Sequence, residues 1–172
     1  MLLFTGCKRN LGPDEYKILL AKNDAWHRSE KIDGYTLRAD YIPTEWIAYT
    51  NSGNTKNRQV FDKSMEEAGG MHYFRISIDA DGSHNMLKKG LGDKEEYFDR
   101  LYYLSYRMKD DIKMRVGDKT YPCELYVYER AYDLSSKIST MVGFKKPVET
   151  DEDIVLEIYP AVLGTGKVKL RF

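Results

Sequence analysis

The last six residues, Lys167-Val168-Lys169-Leu170-Arg171-Phe172, alternate basic and apolar side chains without a break. Only an extended strand sends successive side chains to opposite faces, so this segment reads as a half-buried β-strand with Val168, Leu170 and Phe172 turned toward a core. A slip of one residue would expose the whole apolar set, which makes the register of such a strand strongly specified. Tyr35, Leu37, Ala39 and Tyr41 repeat the period within Gly34–Ile42. A chain built this way needs a sheet and a second layer to cover its apolar face.

Further strand signals lie at Met71–Asp79, closed by the turn residues Asp81-Gly82, and at Ile112–Val116, Tyr121–Arg130, Ile138–Phe144 and Ile154–Tyr159. The final strand is expected to return antiparallel to its predecessor across Gly164-Thr165-Gly166. Helical periodicity appears over Asp14 to Ala25, where Tyr16, Leu19, Leu20 and Trp26 share a face after Pro13. It recurs over Lys56 to Ala68, ended by Gly69-Gly70, and over Asp93 to Met108. In that last segment Asp93 is a cap, Glu95 and Glu96 complement the helix N-terminus, and Tyr97, Leu101, Leu104 and Met108 form a stripe. Pro43 to Tyr49 fits either a short helical turn or a strand, and Asn51–Asn54 reads as loop. With helices early and strands late, the fold class is α+β: an antiparallel sheet or sandwich of about six or seven strands with about three helices.

Composition narrows what this fold can do. A chain of 172 residues is one domain on length, and 42% hydrophobic content with 14 tyrosines excludes disorder. The 27 basic residues balance the 27 acidic ones, so there is no electrostatic footprint for nucleic acid or an anionic membrane surface. No segment approaches the roughly 18–20 consecutive apolar residues that span a bilayer.

Candidate chemistry fails motif by motif. Asp79-Ala80-Asp81-Gly82-Ser83-His84 lacks the Gly and Glu spacing of a calcium loop and reads as a hairpin turn. His27, His72 and His84 lack metal-pair spacing, and no cysteine lies near them, so no metal or other cofactor is implied. Gly164-Thr165-Gly166-Lys167 is not a phosphate loop, because Ala161 and Val168 stand where that motif needs Gly and Ser or Thr. Gly90-Leu91-Gly92 follows no strand, as a dinucleotide loop must. Cys123, between Tyr121 and Leu125, reads as a buried, unpaired and inert thiol. Glu149, Asp151, Glu152 and Asp153 read as a solvated acidic loop. Trp26 and Trp46, with Tyr126 and Tyr128 or the pair Tyr102-Tyr103, are the candidate platform for a glycan or peptide; their other reading is packing. Phe172 at the end of an alternating strand also occurs in outer-membrane barrels, but the helical segments favour a ring that caps a core.

At the other end, Met1-Leu2-Leu3-Phe4-Thr5-Gly6-Cys7 is an apolar run that reaches a small residue and then a cysteine. No basic residue opens it, so either a signal begins upstream or this is an N-terminus with an incidental cysteine. Phe4-Thr5-Gly6-Cys7 resembles the lipobox of bacterial lipoproteins, including envelope lipoproteins of Bacteroidetes-like bacteria, with Phe4 where Leu is usual. The resemblance implies that residues 1–6 are the remnant of a signal peptide, that Cys7 carries the lipid, and that residues 7–13 tether a single domain over 14–172. It implies membrane attachment through a lipid anchor at Cys7. Lys8, in place of an inner-membrane retention Asp, implies the outer membrane, and the absence of an acidic run after Cys7 favours the periplasmic face. If Cys7 is not lipidated, a Cys7–Cys123 bridge in an oxidising compartment is the alternative. The expected function is a non-enzymatic binding or structural module of the envelope, its partner an envelope protein or glycan. The competing expectation is a small periplasmic hydrolase with an unrecognised carboxylate site.

Overall fold

The computed structural model describes residues 13–53, 57–82, 85–129, 136–147 and 152–172. Its middle is strand β3 (Met71–Ala80), flanked on both sides by antiparallel partners in a five-stranded sheet. The order is β1 (His27–Ile32), β2 (Tyr35–Ile42), β3, β7 (Lys137–Lys145) and β6 (Leu125–Glu129). A second antiparallel sheet runs β5 (Lys119–Pro122), β4 (Ile112–Val116), β8 (Ile154–Ile158) and β9 (Val168–Arg171). The fold is α+β.

The period-two pattern decides how the sheets stack. Leu37, Phe74, Ile76, Ile78, Val142 and Phe144 of the first sheet share one core with Ile112, Met114, Leu156, Ile158, Val168 and Leu170 of the second. Phe74 sits opposite Tyr41 on β2 and Val142 on β7. Its ring contacts those of Tyr41, Phe144 and Phe172, with centroids 5.4, 6.1 and 5.0 Å away. Phe172 thus caps the core, and the Arg28 guanidinium covers it 5.4 Å from the ring centre. As expected, β9 runs antiparallel to β8, with Leu170 opposite Leu156.

Four α-helices complete the described chain: α1 (Pro13–Lys22), α2 (Thr44–Asn51), α3 (Arg58–Ala68) and α4 (Lys94–Tyr102). Asp93 caps α4 by accepting from the Glu96 amide at 3.0 Å, and Asn57 caps α3 by accepting from Gln59 at 3.0 Å. The segment read as one helix to Met108 changes character at Tyr103, becoming a π-helical turn over Tyr103–Arg107 and then a 3₁₀ turn. Leu104 and Met108 still reach the main core. On the outer face of the first sheet, Ile42 and Tyr73 bury against Ala68, with Leu20, Trp46 and Ile47 packed beside them, as a second, smaller core. Among the described residues no helix is long and apolar enough to cross a membrane.

Several sequence expectations are corrected. The described residues form nine strands and four α-helices, against about six or seven and about three expected within the same α+β class. β1 went unrecognised because its residues, His27-Arg28-Ser29-Glu30-Lys31-Ile32, do not alternate and none is fully buried. It is held as an edge strand by a two-residue turn at Asp33 (φ 49°) and Gly34 (φ 76°), both in the left-handed region that an Asp-Gly hairpin turn requires. The single strand expected over Tyr121–Arg130 is two, because Pro122 can donate no ladder bond and the chain changes sheets between Pro122 and Leu125. Asp81-Gly82 closes β3 without forming a hairpin; the Asp81 amide instead donates to the Gly34 carbonyl at 2.9 Å.

Because Phe74 is fully buried at the crossing of both sheets, Phe74→Ala is expected to cost about 3–5 kcal/mol in equilibrium urea unfolding. A loss below about 1 kcal/mol would mean that the ring is not packed as described.

Candidate functional site

Strand β2 runs directly into α2 because Pro43, extended at φ −58° and ψ 144°, has no N–H for the ladder yet can precede a helix. The bend brings the end of β2 against α1 and α3 and leaves a cleft of about 700 Å³ between them. Tyr16, Trp26, Tyr41 and Phe61 supply aromatic walls, and Met65 and Gly69 close it from α3. Polar groups enter from Glu45, Arg58, Asp62 and Lys146.

The walls are held from behind. Tyr41 joins the cleft to the main core, its ring 6.0 Å from Trp26, 6.0 Å from His72 and 5.4 Å from Phe74. Tyr16, buried on α1, packs against Trp46 at 5.8 Å and Tyr49 at 6.1 Å, and these two rings stack at 6.0 Å. His27 ties the α1 side to the sheet. Its Nδ1 lies 2.6 Å from Asp40 Oδ1 and its Nε2 2.6 Å from the Leu20 carbonyl oxygen, both acceptors. Arg38 donates to the same Asp40 oxygen at 2.8 Å, so one carboxylate fixes both neighbours.

The charges in the cleft are not equivalent. Arg58 Nε reaches both oxygens of Asp62, at 2.8 and 2.9 Å, one helical turn away on α3. Lys146, half-buried just beyond β7, donates from Nζ to Thr44 Oγ1 at 3.3 Å, and its backbone amide donates to the Gly70 carbonyl at 2.9 Å. Burial and then the Glu45 carboxylate hold the Tyr16 and Tyr41 hydroxyls above the ordinary phenol range. His72 lies beneath Tyr41, its Nδ1 buried with no hydrogen-bond partner. Burial, assisted by the Lys146 ammonium, lowers its pKa to about 4.

The expected aromatic platform is only partly assembled. Trp26 lines the cleft, and Trp46 lies behind it, in contact with Tyr16. Tyr126 and Tyr128 lie on β6 and pack against the inter-sheet core, so they do not join the two tryptophans. The Tyr126 hydroxyl donates to the Leu104 carbonyl, and burial raises its pKa. Tyr103, paired with Tyr102 in sequence, donates to Asp111 Oδ2 at 2.7 Å and braces the start of β4, while Tyr102 is exposed. Cys123 is half-buried at the change of sheet rather than on a strand. Its thiol donates to the Leu125 carbonyl at 3.0 Å and is pushed by burial up to about 11, which keeps it protonated at neutral pH.

Of the acidic loop, Asp153 pairs with Arg171 at 3.2 Å; Glu149 and Asp151 lie outside the described residues, as do Cys7 and His84. Among the described residues no three His, Cys, Asp or Glu side chains converge as a metal site. Sequence reading missed Tyr16, Tyr41, Glu45, Phe61 and Lys146 as partners. They come from separate elements, and the only local signal was Pro43 at the end of an alternating strand.

No protein-family model and no curated protein matches this chain. Among solved structures, it is similar to a protein of unknown function from Burkholderia pseudomallei, at 8% identity and a TM-score of 0.41, covering 92% of this chain and 84% of that one. It is also similar to a DUF4426 family protein from Pseudomonas aeruginosa, at 9% identity and a TM-score of 0.41, covering 87% of this chain and 93% of that one.

His72 gives the site a pH signature. Its folded pKa of about 4 lies below the ordinary value of 6.5, so the unfolded chain binds more protons between those values. The stability associated with the neutral ring is therefore full above about pH 6.5 and falls as pH drops toward 4. The loss should be about 1–2 kcal/mol after allowance for the ring's partial exposure. Urea titrations at pH 7 and pH 4 should show a smaller difference for His72→Phe than for the parent; an equal difference would exclude His72 as the source.

Proposed function

We propose that this domain is a non-enzymatic binding module whose ligand enters the cleft between α1, α2 and α3. The observation that carries the reading is the cleft itself. A cavity of about 700 Å³ walled by Tyr16, Trp26, Tyr41 and Phe61 falls within the ordinary range of ligand sites, about 300–1,000 Å³. Its apolar walls and few polar groups are the composition such sites share. The walls are braced by the Tyr41–Phe74 contact and the His27–Asp40 bond, so little ordering remains to oppose binding.

We place the module in the cell envelope, attached to the outer membrane on its periplasmic side through lipid on Cys7. This placement is supported by the lipobox-like Phe4-Thr5-Gly6-Cys7 and by Lys8. Two acyl chains hold a protein at a bilayer durably, at about 0.8 kcal/mol per buried CH₂.

The cleft is tested by following backbone amide shifts of the folded protein during titration with small aromatic amides. The shifts are expected to cluster on Trp26, Tyr41, Thr44, Phe61 and Lys146. Trp26→Ala should weaken that binding about 30-fold, the loss of a buried aromatic anchor. Shifts confined to the exposed rings of Phe98, Tyr102 and Tyr106 on the α4 side would overturn the assignment. For the anchor, Cys7→Ser is expected to move the protein from the membrane fraction to the soluble fraction of the cell. Retention of the variant in the membrane fraction would dismiss lipid on Cys7.

A further inference from the structure

The cleft is lined by one acidic and one basic side chain, Glu45 and Lys146, that form no ion pair among the described residues. Arg58 and Asp62, both exposed, already pair with each other along α3, so neither stands as an unpaired charge. Glu45, exposed at the cleft, has no ion-pair partner among the described residues, and its charge adds to burial in raising the Tyr16 and Tyr41 hydroxyls. Lys146 has no carboxylate partner among the described residues either; its ammonium meets only the neutral Thr44 hydroxyl. Thr44 and Glu45 are adjacent in the first turn of α2, so both charged residues line the cleft at that end without forming an ion pair.

A helix dipole accounts for an acidic residue in the first turn of α2. It does not account for a half-buried lysine brought to the same place, since a cation there opposes that dipole. A half-buried ammonium keeps part of its hydration, and a counter-charge on a ligand can replace the water that binding displaces. A ligand with one charge meets attraction at one residue and repulsion at the other. A ligand that carries both satisfies both, while its apolar body fills the space between Trp26, Tyr41 and Phe61.

We propose that the cleft takes an amphoteric ligand with an aromatic or apolar body, the class of a short peptide with free termini. Its ammonium pairs with Glu45 beside the Tyr16 and Tyr41 rings, and its carboxylate pairs with Lys146 and the Thr44 hydroxyl. Aromatic faces around the ammonium add cation–π attraction to the ion pair. This assignment rests on the binding-module reading of the cleft.

The test uses the dipeptide Phe-Ala as probe, with its N-acetylated, C-amidated and doubly blocked forms, titrated into the whole protein by calorimetry. The free dipeptide is expected to bind tightest. Acetylation and amidation should each weaken binding about tenfold or more, the size of one charge-assisted hydrogen bond. The acetylation penalty should vanish in Glu45→Gln and the amidation penalty in Lys146→Gln, a pairing that a general loss of stability cannot imitate. Thermal unfolding of both variants verifies that they are folded. If the doubly blocked dipeptide binds as tightly as the free one, the charge assignment falls while the cleft stands as a ligand site. Tighter binding of the neutral disaccharide cellobiose than of the free dipeptide overturns the peptide class. If no probe binds, the cleft reading and the charge assignment fall together.

Discussion

The two-faced burial of β3 is the constraint on which the rest of this structure depends. Phe74, Ile76 and Ile78 look into the space between the sheets, and Tyr73 looks out under the helices. A strand can supply two cores only because its side chains alternate, and only in one register. β2 and β7 inherit that register through their pairing with β3, so Leu37, Ala39, Val142 and Phe144 are turned inward with it. The second sheet then has one apolar surface to cover, and Phe172 closes the stack at its end.

The cleft is a consequence of where that regularity stops. β2 cannot continue through Pro43, so the chain leaves the sheet and starts α2 beside α1 and α3. Packing three short helices over one end of a twisted sheet buries Ile42, Ala68 and Tyr73 but leaves an opening beside them. Tyr41 stands at the join, in contact with Trp26 on the cleft side and Phe74 on the core side. The stability of the core and the shape of the site therefore share a residue. His72, held neutral below the same ring, adds an acid-sensitive group to that junction.

Elements with strong internal patterns were legible from sequence, and elements held by their neighbours were not. β9 shows its own alternation, and α4 shows a cap and an acidic first turn, so that strand and the start of that helix were legible, while the helix's end at Tyr102 was not. β1 has neither, because an edge strand with a polar outer face needs no apolar alternation; the Asp33-Gly34 pair was the clue that could have revealed it. The split at Pro122 was visible as a proline but not as a change of sheet, because both halves are strand-like. Trp26 could be singled out as a large aromatic ring. Its grouping with Tyr126 and Tyr128 could not be judged, because residues a hundred positions apart share a surface only once the sheets are stacked.

The sequence by itself determined the class of object: alternating strands, capped helices, balanced charge, and a body large enough for one core. These are local or compositional properties, written in the spacing of neighbouring side chains. Only the tertiary structure decided which rings became core and which became a cleft wall, and which charged side chains came to line that cleft. Tyr16, Tyr41, Glu45, Phe61 and Lys146 acquire a joint meaning from the bend at Pro43 and the packing of three helices, and no spacing along the chain encodes that meeting.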